Sequence, residues 1–104
     1  MAENSELIKA ETRAFRLLGI RSRSEKELRS KLAAGHFSPK VVDNVVDKCV
    51  RLGYLNDETF AKERARYLGR TKLVGNLKIA LDLKERGVAS DIRREAIADT
   101  DREL

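Results

Sequence analysis

The chain holds one cysteine, one proline, one histidine, one methionine and no tryptophan in 104 residues. Cys49 alone cannot build an intrachain disulfide framework or a multi-cysteine zinc site. His36 alone leaves no histidine pair for a metal and no ordinary Ser-His-Asp triad. No apolar run approaches the roughly 20 residues that span a bilayer. The start, Met1 to Glu6, is acidic and polar and lacks the apolar core of a secretory signal. Phosphate-binding Gly-rich loops, a G-x-S-x-G elbow and an H-E-x-x-H helix are also missing. These gaps lead us to expect a cytoplasmic protein without membrane partner, metal or cofactor, and not an enzyme.

What is present is charge and aliphatic surface. Charged residues make up 38% and hydrophobic residues 41%, with five aromatics, so a core can form and must be mostly aliphatic. Twenty-two basic against seventeen acidic residues leave a net charge of +5, which suits an anionic partner without requiring one.

The patterning is helical throughout. Ser5 precedes a stripe of Leu7, Ala10, Ala14, Leu17 and Leu18, and Gly19 with Arg21 and Arg23 reads as its stop. Ser24 to Glu27 reads as a capping box, with Leu28 and Leu32 behind it and Gly35 as the close. Ser38-Pro39 reads as an N-cap with proline at N1. Behind it, Val41, Val42, Val45, Val46, Cys49, Val50 and Leu52 repeat at helical spacing despite the β-branched residues. Gly53 to Asp57 reads as a connector. A fourth helix carries Phe60, Ala61, Ala65 and Leu68, a fifth Ile79, Ala80 and Leu83, and a last one Ile92, Ala96 and Ile97. The polar tail from Asp99 to Leu104 is expected to fray.

A shift of 51 residues aligns the two halves without a gap: Ala10 on Ala61, Ala14 on Ala65, Leu17 on Leu68, Leu28 on Ile79, Leu32 on Leu83 and Val45 on Ala96. Ser24 lands on Gly75. The expected fold is therefore all-α, with two tandem three-helix repeat modules in an elongated array. The modules would span residues 1–53 and 54–104 and stack through the third helix and the connector.

Basic residues cluster at matching places in the repeat. Eight face three acids between Lys9 and Lys31, and six face one between Lys62 and Lys78, an excess of five each time. Solubilising charge on amphipathic helices is the ordinary reading of such clusters. A stripe addressed to nucleic acid or nucleoprotein is the functional one. Only Tyr67 lies inside a cluster, so base stacking in the OB-fold manner is not expected. Asp43 and Asp47 read as a solvated face, His36 as a helix-end residue and Cys49 as a buried small hydrophobe. Ser24 to Leu32 also resembles the opening of a helix-turn-helix, but the valine-rich helix after it has little with which to read bases.

The segment Arg21-Ser-Arg-Ser-Glu-Lys-Glu-Leu-Arg-Ser-Lys-Leu32 resembles the first-module motif of the RecX regulatory proteins. Gly53-Tyr-Leu-Asn-Asp-Glu-Thr-Phe-Ala61 resembles their inter-module motif. Lys72-Leu-Val-Gly75, with Ile79, Leu83 and Arg86-Gly-Val88, resembles their second module. RecX proteins usually carry three such modules, and this chain has two. Where the family often has Lys-Gly before the second-module glycine, this chain has Lys72-Leu73. The resemblance implies a monomeric negative modulator of the RecA recombinase that binds in the groove of the RecA–DNA filament and inhibits its recombination-linked activities. The alternative is a general DNA-binding helical module without a protein partner. The expected contacts to RecA or to the DNA phosphate backbone are Arg21, Arg23, Lys26 and Arg29 in the first module. In the second they are Lys62, Arg66, Arg70 and Lys72. Tyr54, Leu55 and Phe60 are assigned to packing of the joint.

Overall fold

The computed structural model describes residues 2–103. Six helices follow one another: α1 Ala2–Ile20, α2 Glu25–Ala34, α3 Pro39–Arg51, α4 Asp57–Arg70, α5 Asn76–Glu85 and α6 Ser90–Glu103, with no strand among the described residues. The chain divides into two compact units between Asn56 and Asp57. Each unit is a three-helix module, so the fold is all-α and tandem.

In the first unit α1, α2 and α3 enclose Ala10, Ala14, Leu17, Leu28, Leu32, Val41, Val42, Val45, Val46, Cys49 and Leu55. Ala10 and Ala14 have no exposed surface, and such small residues let helix backbones approach closely. The second unit repeats the plan with Ala61 and Ala65 on α4, Ile79 and Leu83 on α5 and Ala96 on α6. Thr100 takes the place that Cys49 holds in the first unit. Its hydroxyl donates to the Ala96 carbonyl at 3.1 Å and so is satisfied without water. Burial pushes the Cys49 thiol up, as suits a packed and unreactive sulfur.

The helix starts follow from local chemistry. The Glu27 N–H donates to Ser24 Oγ at 3.1 Å, and the Ser24 N–H donates to Glu27 Oε1 at 3.0 Å, which completes the capping box. Ser38 caps α3, accepting from the Val41 N–H, with Pro39 in the first turn. Gly75 caps α5 with no side chain to offer. The repeat extends to the turns: His36 at φ 66° and Gly87 at φ 83° stand at equivalent places after α2 and α5. Gly35 closes α2 as its C-cap with φ −80°, and His36 after it takes the left-handed conformation.

Several expectations need correction. α1 begins at Ala2, ahead of Ser5 and the stripe it precedes, and nothing in the sequence from Ala2 to Asn4 breaks a helix. Val50 and Leu52 are about half exposed, since they fall off the arc that Val41, Val45 and Cys49 bury. The segment from Asp99 to Glu103 does not fray but continues α6, held by Thr100 and by ion pairs to α4. Leu55, assigned to the joint, is a core residue of the first unit, and Phe60 is one of the second. Tyr54 is exposed and meets Phe15 edge-on, ring centres 5.8 Å apart.

Candidate functional site

The first-module candidates separate into surface and scaffold. Arg21 is exposed and pairs with Glu27 at 3.1 Å, the same carboxylate that completes the capping box. Lys26 is exposed on the first turn of α2. Arg29 bridges Glu25 at 3.3 Å and Asp43 at 2.6 Å, which ties α2 to α3 and raises its pKa above the ordinary value. Arg23 is only 7% exposed, and its Nε donates to the Leu17 carbonyl at 3.2 Å, near the end of α1. Burial first, then Arg21 and Arg13 nearby, lowers its pKa. A guanidinium placed so fastens the α1–α2 turn and offers little to a partner.

A better-organised basic surface lies on α1. Lys9, Arg13 and Arg16 follow one another at helical spacing on one exposed face. None of the three is joined to an acid by an ion pair among the described residues. Glu11, the nearest acid in sequence, points elsewhere and pairs with Lys48 of α3 at 3.1 Å. The counting of charges along the chain included the three basic residues but did not single them out. Their 4- and 3-residue spacing, read on a helical wheel against the buried Ala10, Ala14 and Leu17, is the signal that locates them.

In the second module Lys62 is half-buried in a shallow hollow with Glu58, Asp91, Ile92 and Glu95, an acidic setting. Arg66 and Arg70, one turn apart on α4, converge on one carboxylate. Arg66 Nε and Nη2 each donate to Glu103 at 2.9 Å, and Arg70 Nη2 donates to it at 3.0 Å. Asp99 stands 3.7 Å from Arg66. The two arginines, Arg66 foremost, hold the Glu103 carboxyl below the usual carboxylate range. Tyr67 lies beside them, partly exposed, with the Arg64 guanidinium 5.5 Å and the Lys72 ammonium 5.9 Å from its ring centre. Glu63, Arg66, Tyr67, Arg70 and Thr71 line one open hollow. Arg66, Arg70 and Lys72 are thus brought together, while Lys62 stands apart from them in its acidic hollow.

Exposed guanidinium and ammonium groups of this kind have the chemistry to meet anions. No group of acids, histidine and cysteine that could hold a metal is found among the described residues. No helix among them is long and apolar enough to cross a membrane.

Comparison with known proteins gives these surfaces a family. The sequence model described as "RecX, first three-helix domain" matches residues 10–49, and "RecX, second three-helix domain" matches residues 56–97. The protein named Regulatory protein RecX from Pelodictyon phaeoclathratiforme is 39% identical over 92 residues, covering 88% of this chain and 58% of that protein. The protein of the same name from Prosthecochloris aestuarii is 36% identical over 98 residues, covering 94% and 65%. The chain therefore spans about three-fifths of the length of these curated relatives. The crystal structure of RecX from Lactobacillus salivarius superposes with a TM-score of 0.87 at 23% identity, over 91% of this chain and 62% of that one. Two successive domain matches, in the order and at the places where the two helical modules fold, establish that the chain belongs to the RecX regulatory protein family.

Proposed function

We propose that this chain is a non-catalytic negative modulator of the RecA recombinase, binding as a monomer in the groove of the RecA–DNA filament and restraining its recombination-linked activities. The observation that carries the reading is the exposed row of Lys9, Arg13 and Arg16 on α1, off the face that buries Ala10, Ala14 and Leu17. Such a row presents three long cationic side chains to an anionic surface, at the repeat of one helix face. Arg21 and Lys26 extend it in the first module, and Arg66, Arg70 and Lys72 form its counterpart in the second. Arg23 and Arg29 support these surfaces from within by holding the helices that carry them. No chemical step is needed, since occupancy of a groove across neighbouring protomers resists growth and rearrangement.

The test is co-sedimentation with preformed RecA–single-stranded-DNA filaments, with naked DNA in parallel at near-physiological salt. Selective pelleting with the filament is the expected result. Equal or stronger binding to naked DNA would move the reading to a general DNA-binding module, and binding to neither would refute both.

A further inference from the structure

We infer that Glu103 is a built-in competitor for the phosphate site formed by Arg66 and Arg70, so that nucleic acid must displace the last turn of α6 from α4 to use these arginines. The inference rests on the reading of the basic surfaces as phosphate contacts. Its own support is geometric. Arg66 offers Nε and Nη2 as a fork, and both tines are taken by the two oxygens of one carboxylate at 2.9 Å. Arg70 closes on the same group at 3.0 Å. Two guanidinium groups around one two-oxygen anion is also the arrangement that holds a phosphodiester, whose non-bridging oxygens are spaced for the same fork. Glu103 therefore stands where a phosphate would stand.

The mooring is of a kind that can be exchanged. Arg66, Arg70 and Glu103 keep between a third and a half of their side-chain surface exposed, so water and salt reach the contact. The contact joins Glu103 to α4 through exposed ion pairs and not through apolar packing, so its exchange opens no core. Thr100, one turn earlier, is buried and bonded, so displacement can stop there without opening the core. The hollow beside the arginines is also lined by Tyr67 and Thr71, an aromatic ring and a hydroxyl suited to sugar and base edges. This favours nucleic acid over an acidic protein surface as the incoming anion.

The experiment measures binding of the full chain to fluorescein-labelled oligo-dT across a salt series. Glu103→Gln keeps the length and helix propensity of the side chain but removes its charge. It should bind about two- to fivefold more tightly, the range that loss of one exposed ion-pair competitor allows. It should also show a steeper salt dependence, because more phosphates are neutralised. The gain should vanish when Arg66→Gln and Arg70→Gln are added. Asp101→Asn removes an equal charge from the same turn while keeping an oxygen that accepts from Asn76, and should leave binding unchanged. Unchanged affinity in Glu103→Gln, with loss on removing the arginines, overturns the competition and leaves the phosphate site standing. A gain that persists without the arginines overturns both, since bulk charge then explains it. An equal gain in Asp101→Asn assigns the effect to lost negative charge anywhere on that turn and overturns the competition.

Discussion

Arg64 and Asp82 meet at two points, Nε on Oδ1 and Nη2 on Oδ2, both at 3.0 Å. Arg86 adds a third bond to the same Asp82 oxygen at 3.0 Å, so one carboxylate fastens α4 to the end of α5. About a quarter of each of the three side chains faces water, which places the cluster between a surface pair and a buried one.

Asp82 therefore links stability to pH. Arg64 foremost, then Arg86, holds its carboxyl below the ordinary aspartate range, against the effect of burial. A carboxyl lowered in the folded state stabilises fully above its unfolded value near pH 4, and loses that contribution as pH falls through the folded value. Asp82→Asn should lose about 1 to 2 kcal/mol at pH 7. In urea melts the gap between wild type and variant should narrow below pH 4 and close in stronger acid. A gap that stays constant to pH 2 would falsify this linkage.

The unequal caps of the two modules predict opposite responses. Ser24→Ala removes a buried hydroxyl that accepts from the Glu27 N–H, and should cost about 1 to 2 kcal/mol. At the equivalent place Gly75 has φ −78° and open space around a Cβ. Gly75→Ser should therefore stabilise the second module by about 0.5 to 1 kcal/mol, from the new cap and a less flexible unfolded chain. Thermal melts of both variants check the signs.

Two residues carry backbone strain. His36 at φ 66° and Leu73 at φ 57° occupy the left-handed region without being glycine. Leu73 is 81% exposed, so it contributes little packing in return. Leu73→Gly and His36→Gly should each stabilise by about 0.5 to 1 kcal/mol, while Leu73→Val should destabilise. Denaturant midpoints that move the other way would refute the strain.

The basic residues predict a split between binding and stability. Arg13→Glu with Arg16→Glu should weaken filament binding at least tenfold with unchanged helical circular dichroism, because both side chains are exposed. Arg23→Gln should lower the melting temperature instead, because the buried side-chain bond to the Leu17 carbonyl that fastens the α1–α2 turn is lost. Matched sedimentation and melting curves separate the two outcomes.

What was legible in the residues was what depends on near neighbours. The capping box of Ser24 and Glu27, the Ser38-Pro39 start and the Ala-rich stripes act within a turn or two, and the 51-residue register followed from them. What was hidden depends on residues far apart in the chain. Counting charges treats Arg23 and Arg13 alike, yet one is buried against Leu17 and the other faces solvent. The acidic end of α6 read as a loose tail because its partners, Arg66 and Arg70, lie more than thirty positions earlier. The left-handed turn at His36 escaped because Gly35 beside it is the residue that usually makes one.

Tyr54 and Tyr67 are the only tyrosines, one in each unit, and the chain has no tryptophan. Both rings are partly open to solvent, one edge-on to Phe15 and the other between Arg64 and Lys72. The molecule thus carries its own pair of fluorophores. With Tyr67→Phe the emission comes from the first module alone, and with Tyr54→Phe from the second. Unfolding of either module, and occupancy of the hollow beside Tyr67, can then be followed by intrinsic light without attaching a dye.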